Sequence, residues 1–284
     1  MTNLPSSPSR DQAAIEFEPV LHQLFEALTR KVNSEARDAM HYVLFSTRDR
    51  FCISALWLVA PRLGISVQRI SRVACAIEAI GCSLAIKTRN HQNHTRRHER
   101  FIEPALLEAA TYGLVPLAFE MVLNSNEALT LEERHSIAEI LSRAASPIHV
   151  LSALHRESQV LREGNRLALT RPELLELQQE KVTPVYQASG EILGLLAKDP
   201  IDRSGLADWF KKLGLFSHWV DELISLPSSS QSLSVIYSVA PSEAVDLIKS
   251  LEAELLEKAK ALGLVGAAHE IIEPLADALK NRLQ

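Results

Sequence analysis

The sequence predicts an all-α protein, a single-domain bundle of about ten helices. Apolar side chains recur every three or four residues along most of the 284-residue chain, which is the spacing of one face of a helix. No segment between these helices shows the alternating apolar and polar residues of a β-strand, so a parallel sheet is not expected. No unit of roughly 20 to 50 residues repeats, which excludes a solenoid.

The helices follow a flexible tail over residues 1–12 and form a helical domain over residues 13–284. The first helix carries an apolar stripe from Ile15 to Leu28. The almost wholly apolar segment 51–63 comes next, and its length favours a helix over a strand. Further helices are expected over 66–86, 104–123 and 130–145, from 170, over 204–213, from 242 and over 269–283, with a loop at 227–231.

Several helix boundaries carry signals of their own. Thr130 and Glu133 form the first of two capping boxes, in which the threonine accepts from a backbone N–H and the glutamate reaches back. Thr170 and Glu173 form the second. We expect Gly214 to end a helix, since glycine is common just beyond a helix C-terminus.

Composition and charge exclude several classes of protein. The chain is 46% apolar and 23% charged, unlike a collagen or a disordered protein. Three cysteines do not suggest a disulfide framework and fit a reducing compartment. The chain has neither a secretory signal nor about 20 consecutive apolar residues, so we expect a soluble cytoplasmic protein with no membrane span. The net charge of −5 gives no reason to expect nucleic acid as a partner.

The densest polar stretch is Lys87–Arg100, KTRNHQNHTRRHER, a basic island in an acidic chain. It fits either a phosphate-binding loop, in which arginines contact pairs of oxygens, or a solvated surface loop. The stretch contains no aromatic residue to stack on a base, which disfavours nucleic acid. His91, His94 and His98 share one helical face, but the surrounding positive charge disfavours a divalent cation there.

Asp221 and Glu222 are adjacent acids on an otherwise apolar helix. Carboxylates together with water and phosphate oxygens are the ligands that Mg²⁺ prefers. The same pair also fits the exposed edge of an amphipathic helix, so the residues alone leave both interpretations open.

The order of these features resembles the trans-prenyl diphosphate synthase family, which has the all-α isoprenoid synthase fold. The segments that carry the resemblance are STRDRF at 46–51, CAIEAIGCSLAIKTRNHQN at 75–93, the basic run 96–100, the apolar helix 109–119, Ser158-Gln159, Lys181-Val182 and the segment 214–225. They stand where the family has GKxxRP, the first Asp-rich helix, RRGKPT, the AILAGDxLLAxAF helix, GQ, KT and the second Asp-rich motif.

The resemblance implies a set of site residues. Those at diphosphate-binding positions are Arg50, Arg89, Arg96, Arg97, Gln159 and Lys181. Asp221 and Glu222 stand at the first two acids of the second Asp-rich motif, where they would hold a residual Mg²⁺ ion. Ser225 removes the third acid of that motif, and Glu78 matches a glutamate of the family's first Asp-rich helix.

The first Asp-rich motif is lost. Thr88, Arg89 and Gln92 stand in its place, with no carboxylate in any register. In the family, two such motifs hold three Mg²⁺ ions that neutralise the leaving diphosphate, which is electrophilic metal catalysis. The basic residues in this segment repel divalent cations, so the three-ion cluster is not expected to form. No cofactor is implied with certainty, and Mg²⁺ is expected at most at reduced occupancy.

Two functions follow from this loss. The first is a non-catalytic or regulatory subunit in a prenyl synthase dimer, either a homodimer or a heterodimer with an active synthase, with an interface near residues 104–145. The alternative is a metal-poor prenyltransferase or terpene synthase that acts on a prenyl diphosphate through an arginine-rich site.

Overall fold

The computed structural model describes residues 10–46, 50–89, 102–124, 128–146, 148, 150–162, 169–225 and 233–283. Over these ranges the chain forms α-helices and one short 3₁₀ helix at Ala60–Leu63, and no strand, which confirms the all-α prediction. The α-helices are α1 Arg10–Leu28, α2 Ser34–Phe45, α3 Phe51–Val59, α4 Val67–Arg89, α5 Pro104–Leu123, α6 Leu131–Ala144, α7 Val150–Arg162, α8 Arg171–Val182, α9 Pro184–Leu196, α10 Arg203–Ser225, α11 Val235–Ser238, α12 Pro241–Ala261 and α13 Val265–Leu283.

The local capping signals are confirmed. The side chain of Thr130 accepts from the N–H of Glu133 at 3.1 Å, and the Thr130 N–H donates to the Glu133 carboxylate at 2.9 Å. At the start of α8, the N–H of Thr170 donates to the Glu173 carboxylate at 2.7 Å. Each box satisfies backbone donors that a helix start leaves unpaired, so α6 and α8 begin where the sequence predicts.

The expected end at Gly214 is wrong, because α10 continues through it to Ser225. A Cβ at Gly214 would lie 2.6 Å from the ring of Tyr186, so the glycine lets α9 and α10 approach closely. The start of α10 is also capped two residues earlier than Ser204, since the Asp202 carboxylate accepts from the N–H of Gly205 at 2.9 Å. Glycine here serves packing between helices, which local sequence does not reveal.

Two further boundaries differ or cannot be compared. Helix α1 begins at Arg10, inside the tail predicted over 1–12. Residues 1–9 of that tail and the predicted loop at 227–231 lie outside the described residues.

The buried apolar side chains form one core cluster that draws on helices from both ends of the described chain. Trp57, Trp209 and Trp219 are all buried in it. The indole N–H of Trp209 donates to the carbonyl of Leu255 at 2.9 Å, which satisfies its polar atom and ties α10 to α12. Helix α10 packs against α9, α12 and α13 and lies at the centre of the C-terminal half.

Helix α5 is the one described helix long and apolar enough to cross a membrane, with a mean hydropathy of 1.5 over its best window. It packs against α2, α4 and α6 and contributes Leu114 and Met121 to the core. A core helix meets the same criterion of length and composition, so this is weak evidence for a span.

Packing of α9 on α10 gives a test of the fold. A Cβ at Gly190 would lie 2.6 Å from the carbonyl oxygen of Leu206 and 2.7 Å from the Cα of Ala207, both backbone atoms that cannot move aside. We therefore expect Gly190→Ala to lower the free energy of unfolding by about 1–3 kcal/mol, measured by urea denaturation. Gly81→Ala is the matched control.

At Gly81, inside α4, the nearest contact of a new Cβ is 3.7 Å, to a methyl group of Val185. The better helix propensity of alanine should leave that variant unchanged or more stable by up to about 1 kcal/mol. Equal stability of the two variants would contradict the close packing of α9 on α10.

Candidate functional site

Arg50 lies at the N-terminus of α3 and is buried, with 5% of its surface exposed. Its Nε and Nη2 donate to the two carboxylate oxygens of Glu18 at 3.0 and 3.1 Å. Its Nη1 donates to the carbonyl of Leu44 at 3.0 Å and to the carboxylate of Glu78. One guanidinium thus joins α1, the end of α2, α3 and α4.

The electrostatics of this cluster keep Arg50 charged. Burial alone lowers the pKa of Arg50, but the charge of Glu78 and the hydrogen bond to Glu18 raise that pKa above its ordinary value. An uncompensated charge at this depth costs several kcal/mol, so the buried arginine requires a carboxylate partner, and Glu78 is the more buried of the two. The diphosphate-binding role of Arg50 stays a prediction, and the described guanidinium is directed at carboxylates of its own chain.

Lys181 occupies the last turn of α8 and is also paired within the chain. Its Nζ donates to both carboxylate oxygens of Glu157, on α7, at 2.9 and 3.0 Å, and both side chains are almost fully shielded from water. Gln159 lies two residues beyond Glu157 and is exposed. Residues two apart on a helix point in different directions, so Gln159 does not share the direction of that pair.

Glu222, on α10, is the most connected carboxylate of the candidate site. It accepts hydrogen bonds from the hydroxyl of Ser234 and from Nε2 of Gln178 at 3.3 Å, and its other oxygen lies 3.3 Å from Nε2 of His218. Burial alone raises the pKa of Glu222, but His218, Ser234 and Lys181 together bring that pKa below its ordinary value. Gln178, three residues before Lys181 on α8, donates to Glu222, so Lys181 and Glu222 lie in one neighbourhood.

Gln178 organises this network from the buried face of α8. Its carbonyl oxygen accepts from the indole N–H of Trp219 at 3.1 Å and from the backbone N–H of Val235 at 3.2 Å. Its amide nitrogen donates to Ser234 at 2.8 Å as well as to Glu222. A buried amide with all these contacts holds α8, α10 and α11 in one arrangement.

The remaining predicted residues are not brought into this network by the described structure. Asp221 is exposed, and adjacent helical residues do not face each other, so it does not share a direction with Glu222. Among the residues that the structure describes, no three His, Cys, Asp or Glu side chains are grouped to hold a metal ion. The side chain of Arg89 and all of Arg96 and Arg97 lie outside the described part of the chain.

Three residues that pair with the candidate site residues were not predicted from the sequence: Glu18, Glu157 and Gln178. Glu18 and Glu157 lie in other helices than the cations they pair with, and no local pattern marks them. Gln178 did carry a signal, because it shares a helix face with Leu174 and Leu177, where a polar residue must find a partner.

Two surface grooves lie away from these networks. The first, of about 330 Å³, is lined by residues of α6, α8, α9 and α10, among them Arg143, Glu180 and Lys211. The second adjoins it and is lined by residues of α6, α9 and α10. None of the predicted diphosphate or metal residues lines either groove.

Comparison with known proteins identifies the fold. No family model and no curated protein matches the chain. A geranyltransferase structure from Legionella pneumophila matches with a TM-score of 0.79 and 18% identity, over 96% of this chain and 96% of that chain. A geranyltranstransferase from Thermotoga maritima matches with a TM-score of 0.78 and 16% identity, over 95% of this chain and 99% of that one.

A Helicobacter pylori geranyltransferase, in a structure complexed with magnesium and isoprenyl diphosphate, matches with a TM-score of 0.70 and 16% identity, over 99% of each chain. At these identities the likeness establishes the fold alone. The chain has the trans-prenyl diphosphate synthase fold, which confirms the fold that the sequence resemblance implied.

The Arg50 cluster predicts unequal effects of its two carboxylates. The Glu78 side chain is 10% exposed and that of Glu18 is 44% exposed. We expect Glu78→Gln to lower the free energy of unfolding by about 3 kcal/mol, because it leaves a buried cation without its buried partner. Glu18→Gln, the matched control, should cost less than about 1 kcal/mol, because water screens a half-exposed pair. Equal costs in urea denaturation would contradict the assignment.

Glu222 predicts a pH dependence of stability. Its pKa in the folded chain is lowered, so the ionised form stabilises the fold above the unfolded glutamate pKa of about 4.3, and this stabilisation is lost as the pH falls through the folded value. We expect the free energy of unfolding to fall less steeply below about pH 4.3 in Glu222→Gln than in the unmodified chain. Glu139→Gln, at an exposed glutamate of α6, should leave the slope unchanged.

Proposed function

We propose that this chain, built on the trans-prenyl diphosphate synthase fold, is a non-catalytic, regulatory subunit of a prenyl synthase dimer in the cytoplasm. The observation that carries the proposal is the internal pairing of its candidate site. Arg50 is paired with Glu18 and Glu78, Lys181 with Glu157, and Glu222 is hydrogen-bonded by neutral donors and His218.

Pairing within the chain lowers the affinity that these residues would have for a diphosphate. Displacing the half-exposed Glu18 from Arg50 would cost little, but a diphosphate that also displaced Glu78 would leave that carboxylate buried without its cation. Breaking a buried pair in this way costs about 3–5 kcal/mol, which corresponds to about two to three orders of magnitude in affinity. Lys181 would incur a cost of the same kind, because Glu157 is equally shielded.

The residues present do not fit the three-ion magnesium centre that the fold family implies. The carboxylate of Glu222 is engaged by Ser234, Gln178 and His218, and Asp221, one residue earlier, is exposed about 100° away around α10. Arg89 stands in the segment where the family carries its first Asp-rich motif. The proposal therefore assigns no metal-dependent step to this chain.

A surface for the partner is available on α5 and at the start of α6. Tyr112 is 55% exposed, Leu131 is 72% exposed, and Leu123 is exposed between them. The exposed side of α5 also carries Ala105, Ala109 and Pro116, so apolar residues run along the helix, interrupted by the exposed Glu108 and Glu120. Exposed apolar surface of this kind is typical of a protein interface, and it coincides with the interface region predicted from the sequence.

Turnover assays separate the proposed function from its alternative. The purified chain, given a prenyl diphosphate with or without Mg²⁺, should release no diphosphate above the rate without protein. Mixed with an active prenyl synthase from the same organism, it should co-elute and change that enzyme's rate or product length. Release of diphosphate by the chain alone, lost on Arg96→Ala or Arg97→Ala, would establish the metal-poor enzyme instead.

The interface is tested by charge substitution. We expect Tyr112→Glu or Leu131→Glu to weaken association with the synthase by at least about tenfold. The new carboxylate would be buried in an apolar interface, where it would lose its hydration and find no cation or hydrogen-bond donor. The matched control is Ile15→Glu, at an α1 residue that is 65% exposed and outside this surface. Equal affinities of the three variants in analytical ultracentrifugation would show that α5 and α6 do not form the interface.

A further inference from the structure

Two histidines on neighbouring helices face each other outside the candidate site. His22 lies on α1 and His41 on α2, and their Nε2 atoms are 3.4 Å apart. The ring centroids are 5.4 Å apart and the planes are inclined by 72°. Neither residue belongs to the segments that resemble the prenyl synthase motifs.

We propose that His22 and His41 form a binding site for a transition-metal dication of the zinc type that clamps α1 to α2. Zinc binds imidazole nitrogen at about 2.0–2.1 Å in a tetrahedron, which places two such nitrogens about 3.3–3.4 Å apart. The observed separation equals that edge, so the two nitrogens do not need to move apart to share one ion. Imidazole suits zinc, copper and nickel and does not suit magnesium, so the site is distinct in kind from a diphosphate-magnesium centre.

The surroundings hold one of the imidazoles in place. The His41 ring stacks on Phe45 with ring centroids 4.4 Å apart. It also packs edge-to-face with Phe25, with ring centroids 5.7 Å apart. The ring of His22 also packs against Phe45, with ring centroids 5.1 Å apart. Rings fixed by packing lose little freedom on binding, which favours a preformed pair of ligands.

Acidic residues lie on the same helix faces as the two histidines. Glu26 follows His22 by one turn on α1, and Asp38 precedes His41 by three residues on α2. The charges of both act on the His41 ring, together with that of Glu18. A cation placed at the pair therefore has Glu26 and Asp38 near it, while the charge of Glu18 is already paired with Arg50.

The remaining ligand positions are filled by water or by rotation of a carboxylate. The described residues contain no ready group of three ligating side chains, so the site is a two-histidine site in this arrangement. Glu26 or Asp38 would have to rotate before its carboxylate could reach the ion.

Zinc titration of the full chain tests the proposal. Because His91, His94 and His98 also supply imidazoles, the parent protein for the test carries glutamine at all three positions. We expect calorimetry to detect one Zn²⁺ per chain, and Co²⁺ to give the visible absorption of a four-coordinate ion. His22→Gln and His41→Gln should each weaken Zn²⁺ binding by at least about tenfold. His135→Gln, at an exposed histidine of α6, is the control and should bind as the parent does.

Thermal melting gives the second readout. Melting in chelator shows whether each variant folds, and added Zn²⁺ should raise the Tm of the parent by a few degrees but leave that of the two variants unchanged. Zinc affinity unaffected by either substitution, or no binding by the parent at the highest soluble Zn²⁺ concentration, would overturn the site. Neither prenyl diphosphate nor a partner synthase is present, so the result is independent of the proposed function.

Discussion

A permanent cation, Arg50, is buried at the junction of the first four helices, and the packing around it depends on the two carboxylates that neutralise it. Glu78 comes from the buried face of α4 and Glu18 from α1, while the Leu44 carbonyl of α2 takes a third hydrogen bond. Since a buried arginine cannot lose its proton, these helices must stay where their acceptors reach it. The same cluster that orders the N-terminal half therefore removes a cation from the candidate diphosphate site.

Charged side chains are also paired within the chain in the C-terminal half. Lys181 and Glu157 join α8 to α7, and Glu222 is held by donors from α8, α10 and the start of α11. In a metal-dependent prenyl synthase of this fold, the corresponding groups gain by binding ions and diphosphate. Here the described groups bind one another, and these pairs stabilise the fold.

Much of the fold could be predicted from the sequence, because helical periodicity and capping boxes are local. The bounds of α5 and the Thr130 and Thr170 caps follow from residues within one turn of each boundary. The continuation of α10 through Gly214 could not be predicted, since its cause is the ring of Tyr186 on another helix. The resemblance singles out Arg50, Lys181 and Glu222 as candidate site residues, but Glu18, Glu78, Glu157 and Gln178, which pair with them, lie on other helices, and pairing across helices has no local signature.

Calorimetric titration of the full chain with a prenyl diphosphate in excess Mg²⁺ measures most directly whether the paired residues are available to ligand. If Arg50, Lys181 and Glu222 keep their internal partners, adding Mg²⁺ produces no tighter binding of the diphosphate than a Mg²⁺-free buffer does. Magnesium-dependent binding that Glu222→Gln abolishes and Glu139→Gln leaves intact would contradict the central claim, because it would place a working metal ligand at the position that we assign to structure.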